Sequence, residues 1–334
     1  MALTTRPFGR TGLDITVVGA GTWAMGGSGW AFSWGDQDDA ASIAAIRRAV
    51  AAGVNWIDTA PVYGLGHSEE VVRQALEGIP ASDRPLVFTK CGLRWSEEDR
   101  MRPSTRTLRP ESIREEVELS LRRLGVSVID LLQFHWPDET GVPVEDSWGE
   151  MARLVQDGKV RFVGVCNFSA ELLERCERIR HVDSLQPPFS MITRDAGGGS
   201  IPWALAHGTG VIVYSPMKAG LLTDGFSRER VAAMDAGDWR RQNPDFNEPG
   251  LTRNLALRDA LRPIADRHGT TVASVAIAWT LAWPGVTAAI VGARSPEQVD
   301  GWLGAGNVTL AAADIDEIAH AILSTGSGSG PVRP

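Results

Sequence analysis

The chain reads as an α/β protein, a closed (β/α)8 or TIM barrel, and three observations predict it. Apolar runs of strand length alternate with stretches of helical spacing along the whole of the 334 residues. Those runs are close to continuously apolar, as a parallel sheet covered on its outer face requires. The side chains suited to acid–base chemistry fall where the runs end, and barrels of this kind carry their sites at the C-terminal ends of the strands. A doubly wound open sheet is the alternative. It asks for a G-x-G-x-x-G turn opening a helix, and the glycine-rich GAGTWAMGG at 19–27 opens none.

In chain order, residues 6–15 predict a short hairpin with a glycine-containing turn. The first barrel strand is ITVVGAG at 15–21, and a helix follows over 36–50 with Ile43, Ile46 and Val50 on one face. Strands are then expected at 55–60, 85–92, 129–136, 160–168, 183–190, 211–216 and 288–294. The intervening helices are expected at 68–76, 110–124 (proline at its start), 144–157, 170–177 and 202–207. A long insertion occupies 217–250, helices follow over 255–268 and 272–282, and two more close the chain at 296–303 and 314–323. The expected organisation is one barrel domain, 1–323, and a disordered Gly/Ser-rich tail, 324–334.

Composition narrows the function. Hydrophobic residues make up 43% and charged residues 22%, the balance of a globular protein, and the net charge is −8. That acidity argues against a nucleic-acid partner or an anionic membrane surface. No apolar run approaches the ~18 residues of a membrane span, and the expected location is cytoplasmic. Three cysteines, Cys91, Cys166 and Cys176, suggest no disulfide framework. No Cys/His pair has zinc-ligand spacing, so no metal is expected, and a metal-assisted hydrolase is disfavoured.

The chemistry centres on NWIDTAPVYGLG, residues 55–66. A short apolar run ends at Asp58, and Tyr63 follows in the loop broken by Pro61 and Gly64. Lys90 ends the next strand and His135 the one after. A phenol has an ordinary pKa of ~10 and needs help to act near neutrality. A neighbouring ammonium lowers it, a carboxylate holds that ammonium in place, and an imidazole orients a carbonyl oxygen. Taken singly, each residue has an ordinary structural reading: a loop cap, an ion pair, a strand-end histidine. Four together on three neighbouring strand ends point to a catalytic group.

These motifs resemble those of the aldo-keto reductase superfamily. The matching segments are GTWAMGG (21–27), NWIDTAPVYGLGHSEEVV (55–72), VFTKCG (87–92), IDLLQFHWPD (129–138), VGVCNFS (163–169), YSPMKAGLLT (214–223) and IVGARSPEQV (290–299). FSWGDQDD and GARSPEQ look most similar to the branch of bacterial inositol-operon reductases and potassium-channel β subunits. The resemblance implies NAD(P)H-dependent reduction of a carbonyl to an alcohol. It assigns Tyr63 as proton donor, Asp58 and Lys90 as its assistants and His135 to the oxyanion. It implies a carboxamide site at Asn167 and Gln186, a ring platform at Tyr214, and Thr22 and Asp58 near the ribose. Ser215, Met217, Lys218 and Gly220 would follow the pyrophosphate, and Trp23 and Gly292 would also touch the cofactor. Arg294, Ser295 and Gln298 would lie at the adenosine 2′-phosphate, favouring NADP(H), with NAD(H) as the alternative. Where many relatives show a Glu-Asn pair, this chain has Gly301 and Trp302.

The substrate pocket is expected at Trp23, Tyr63, His135 and Trp136, whose aromatic walls suit either hydrophobic carbonyl compounds or the apolar faces of sugars. The insertion at 224–253 reads equally as a lid over the cofactor or as a passive loop. Two functional alternatives accompany the reductase reading: a cofactor-binding interaction subunit with little turnover, and an aldose dehydrogenase working oxidatively.

Overall fold

The computed structural model describes residues 3–235 and 237–334; Met1, Ala2 and Ala236, which the 1–323 domain and the 224–253 insertion include, lie outside the described residues. The chain opens with an antiparallel hairpin of β1 (Thr5–Pro7) and β2 (Asp14–Thr16). The barrel begins with β3 (Val18–Gly21), α1 (Asp39–Ala51), β4 (Trp56–Asp58), α2 (His67–Leu76) and β5 (Leu86–Cys91). A second small hairpin, β6 (Leu93–Arg94) with β7 (Thr105–Arg106), interrupts it before α3 (Pro110–Leu124). Then come β8 (Ile129–Phe134), α4 (Val144–Gln156), β9 (Val160–Cys166), α5 (Ala170–Glu177), β10 (Ser184–Gln186), α6 (Ser200–His207) and β11 (Gly210–Tyr214). The short α7 (Arg228–Ala232), α8 (Gly250–Ala260), α9 (Arg262–Arg267), α10 (Val272–Leu281), β12 (Ala288–Gly292), α11 (Pro296–Leu303) and α12 (Ala312–Thr325) complete it. Strands β3, β4, β5, β8, β9, β10, β11 and β12 close into a parallel barrel, with β12 paired to β3 and β9 to β10.

Several boundaries differ from the sequence reading, each for a local reason. The strand expected at 15–21 divides at Val17, because its first half pairs with β1 and its second with β4 and β12. The helix expected at 255–268 begins at Gly250 and breaks at Leu261, where Pro263 supplies no N–H to continue the ladder. The tail expected to be disordered is laid against residues 192–195. Ser329 N–H donates to the Ile192 carbonyl at 3.2 Å, and Arg194 N–H donates to the Ser329 carbonyl at 3.0 Å. The buried Arg194 guanidinium donates to the carbonyls of Met191, Ser327 and Gly330. The composition signalled flexibility, but a buried cation gives this segment a reason to be ordered.

Inside the barrel the two-residue period of a strand sorts side chains into layers. Trp56, Phe88, Leu131, Ile212 and Ala288 form an apolar layer with Phe8 and Ile15 of the first hairpin, which plugs the N-terminal end. Trp56 Nε1 donates to the Thr16 carbonyl at 2.8 Å, and Gly19 is obligatory because a Cβ there would sit 2.1 Å from the indole. Two residues further along the same strands stand Asp58, Lys90, Gln133 and Tyr214. The dry plug thus becomes the floor of a polar layer. Trp148, Trp279 and Trp283 are buried. Among the described residues, no helix is long and apolar enough to cross a membrane.

Candidate active site

A cavity of about 890 Å³ opens at the C-terminal ends of the strands, within the range of small-molecule sites. Asp58 at the end of β4 and Lys90 near the end of β5 meet below it as a buried ion pair, Nζ donating to Oδ1 at 2.5 Å. The ammonium also donates to the Thr59 carbonyl at 3.0 Å and to the Tyr63 hydroxyl at 3.4 Å. The Tyr63 ring meets that of His135 edge-on, with centroids 5.7 Å apart. The four residues come together as expected.

The electrostatics depart from expectation in one respect. Burial outweighs every other influence on Tyr63 and pushes its phenol up to about 12, although Lys90 pulls downward and Asp58 adds to the rise. Burial likewise opposes the Lys90 ammonium, but Asp58, Tyr63 and Cys166 prevail and hold it above the ordinary lysine value. Burial raises Asp58, with Lys90 and Gln186 pulling it back. His135 is driven well below its usual value by burial first, then by the charges of Lys90 and Arg106, so its imidazole is neutral.

A second set of bonds fixes the cavity wall. Asn167, just beyond β9, adopts a left-handed backbone (φ +62) that is strained for a residue other than glycine. Its Nδ2 donates to the His135 carbonyl at 2.9 Å, and its Oδ1 accepts from the Tyr214 hydroxyl at 2.8 Å. Gln186 Nε2 donates to Asp58 Oδ2 at 2.8 Å. Thr22 lies beneath, donating to the Asp58 carbonyl and accepting from Ser68 at 2.7 Å. The two amides expected to hold a ligand therefore also brace the catalytic group, Asn167 through His135 and Gln186 through Asp58.

Most of the expected residues line the cavity: Thr22, Trp23, Asp58, Tyr63, His135, Trp136, Asn167, Gln186, Tyr214, Ser215, Met217, Gly220, Gly292, Arg294 and Gln298 all do. Lys218 and Ser295 do not. Lys218 has a left-handed backbone (φ +47) that turns its ammonium toward Thr193 Oγ1 at 2.6 Å and Asp245 at 2.9 Å. Ser295 sits at the start of α11, where its side chain interacts with Glu297. Arg294 is at the rim, with its guanidinium already donating to the Asp36 and Trp34 carbonyls and to Gln37 Oε1. Trp302 is buried and also faces the cavity, and its Nε1 has no partner.

Three contributors escaped sequence reasoning. Trp239, from the long insertion, stacks on Trp23 with centroids 5.2 Å apart, and Trp34 meets both edge-on. Arg240, paired with Asp238, lies 4.5 Å over the Trp34 ring. The insertion thereby crosses the cavity onto the loop after β3, as the lid reading anticipates. Arg106, on β7, lies over Trp136. A tryptophan and two arginines within charged loops are the only signal the sequence offers for these.

The site suits a nicotinamide dinucleotide. It offers amides and an aromatic face beside Tyr63, and Arg230, Arg240 and Arg294 line it. Trp34, Trp239 and Trp302 line it, and among the described residues their buried indole N–H groups have no partner. The sequence profile of the Aldo/keto reductase family matches residues 17–322. The chain belongs to the aldo/keto reductase family.

This aldo/keto reductase is 35% identical over 291 residues to Aldo-keto reductase YhdN of Bacillus subtilis (strain 168), covering 87% of this chain and 85% of that one. It is 33% identical over 317 residues to the NADH-specific methylglyoxal reductase of Escherichia coli (strain K12), covering 92% and 95%. Among solved structures, glycerol dehydrogenase AKR11B4 from Gluconobacter oxydans superposes with a TM-score of 0.88 at 36% identity, over 99% of this chain and 98% of that one. Aldo-keto reductase AKR11C1 from Bacillus halodurans, in its holo form, shares the fold, with a TM-score of 0.78 at 23% identity over 96% of each chain. The reaction of this aldo/keto reductase is NAD(P)H-dependent carbonyl reduction, and neither the interaction-subunit reading nor the oxidative one is favoured.

Proposed function

We propose that the protein reduces a small aldehyde or ketone with Tyr63 as the proton donor, and that the contact of the Lys90 ammonium with the Tyr63 hydroxyl at 3.4 Å is the observation that carries this reading. The chemistry that a bound reduced nicotinamide supplies is a hydride delivered to the carbonyl carbon. Asn167 and Gln186 would hold its carboxamide and Tyr214 would back its ring, while Arg294 and Gln298 would meet the adenosine end. As the carbonyl oxygen gains charge, Tyr63 gives up its proton to it. A phenol buried up to about 12 is fully protonated at neutral pH, so the donor form is always present. Lys90, kept charged by Asp58, stabilises the phenolate left behind. The neutral imidazole of His135 orients the oxygen without adding a charge that would compete for the proton.

The reading favours NADP(H), resting on Arg230, Arg240 and Arg294, three of the guanidiniums that line the cavity. NAD(H) is the alternative. It is favoured by the engagement of Arg294 with the 34–37 loop and by the name of the E. coli relative. A panel of short neutral aldehydes tests the reaction. Tyr63→Phe is expected to lower kcat by ~10²–10⁴-fold, the usual share of a general acid. Nucleotide binding, read as quenching of tryptophan fluorescence, should stay within a fewfold of the parent. Wild-type turnover in the variant would end the assignment of Tyr63.

A further inference from the structure

We propose that Arg106 recognises a carboxylate on the substrate, so that the preferred carbonyl compounds are aldehydes or ketones carrying an acid group. This inference rests on the reductase reading and names the substrate class it leaves open. Arg106 belongs to β7, in the hairpin inserted after β5, and it lines the cavity beside His135 and Trp136. Its guanidinium carbon lies 4.1 Å from the centre of the Trp136 ring. Stacking of this kind presents the edge of the guanidinium, with its fork of N–H donors, to anything that enters. A planar carboxylate matches that fork in two-pronged fashion.

The donors are also largely unclaimed. Nη1 donates to Glu139 Oε1 at 2.5 Å, and among the described residues that is the one hydrogen bond the guanidinium makes. The Glu139 side chain is 60% exposed, so an incoming carboxylate displaces it at little cost. The backbone beneath is prepared in advance. Glu139 N–H donates to the Arg106 carbonyl at 3.1 Å, and Asp138 accepts from the N–H groups of Leu108, Thr140 and Val142. The arginine and its platform are therefore joined to the loop that carries His135, and no folding step is needed to form the subsite.

The charge has no evident structural duty elsewhere. Lys90 is committed to Asp58, Arg240 to Asp238 and Arg294 to the 34–37 loop. The fields of Lys90 and Arg106 both reach His135, and of the two Arg106 is the one whose carboxylate partner is exposed.

The test compares ω-oxo carboxylates of two to five carbons with their methyl esters, using the full-length protein, both nicotinamide cofactors and a range of salt. The expected result is a kcat/KM preference for the acid over its ester, for at least one chain length, of roughly ten- to a hundredfold. That preference should shrink as ionic strength rises. Arg106→Gln should erase the ratio, Arg106→Lys should keep part of it, and Glu139→Gln should enlarge it by removing the competitor. Equal use of acids and esters by the parent would overturn the proposal. So would a preference that survives Arg106→Gln. Reduction of the esters with no preference for the acids removes the carboxylate site alone, whereas failure to reduce either removes the reductase reading and this proposal with it.

Discussion

The two ends of the cavity are built from different materials. At the reaction end, Asp58, Lys90 and Gln186 stand on barrel strands, bonded to one another below a roof of Tyr63 and His135. At the outer end, Arg294, Arg240 and Trp239 come from loops, and their partners are backbone carbonyls and other loop residues. Strands in a closed barrel cannot shift without breaking two ladders, so the first set is held as rigidly as the sheet. Loops exchange their contacts at small cost, so the second set is free to differ in which nucleotide it accepts. The residues proposed for the reaction and those proposed for cofactor choice therefore sit on separate parts of the molecule.

That contrast can be broken most severely at its rigid end. Lys90→Met leaves Asp58 buried without its counter-ion, and a loss of about 3–5 kcal/mol in chemical denaturation is expected. A loss below about 1 kcal/mol would mean that the pair resembles a surface contact despite its burial. A smaller effect is expected from Arg294→Ala, which should weaken NADPH by about tenfold more than NADH in parallel fluorescence titrations. Equal losses would assign Arg294 to anchoring the 34–37 loop.

The smallest and most gradual effect concerns pH. The folded pKa of His135 lies well below the 6.5 of an ordinary histidine. Below that value the unfolded chain takes up a proton that the folded chain refuses, so stability falls as pH drops from about 6.5. The contribution of this residue approaches about 1.4 kcal/mol per pH unit. His135→Asn should flatten the profile in that window, and an unchanged slope would mean that another group carries it.

Legibility followed the same division. Asp58, Tyr63, Lys90 and His135 could be found because each lies at a strand end or in the loop that follows one, and barrel closure brings strand ends together whatever the side chains between them. The layers beneath them were not written so openly. Gln133 is one polar residue in the run IDLLQF, and only the register of β5 with β8 sets it opposite Lys90. The rise of the Tyr63 phenol was missed because a sequence names the neighbouring charges but not the depth of burial, and burial prevailed. Trp239 and Arg106 were hidden for another reason: each lies in a polar insertion whose landing place is fixed by contacts with distant loops.

The buried guanidinium of Arg194 bears on the order of events when the chain is made. Its carbonyl partners at Ser327 and Gly330 lie 133 and 136 residues downstream. During synthesis from the N-terminus, the twelve helices α1 to α12 and all eight barrel strands precede those partners. Contacts of such long separation are slow to close. The last partners of this seam on the flank are therefore made after every strand of the barrel.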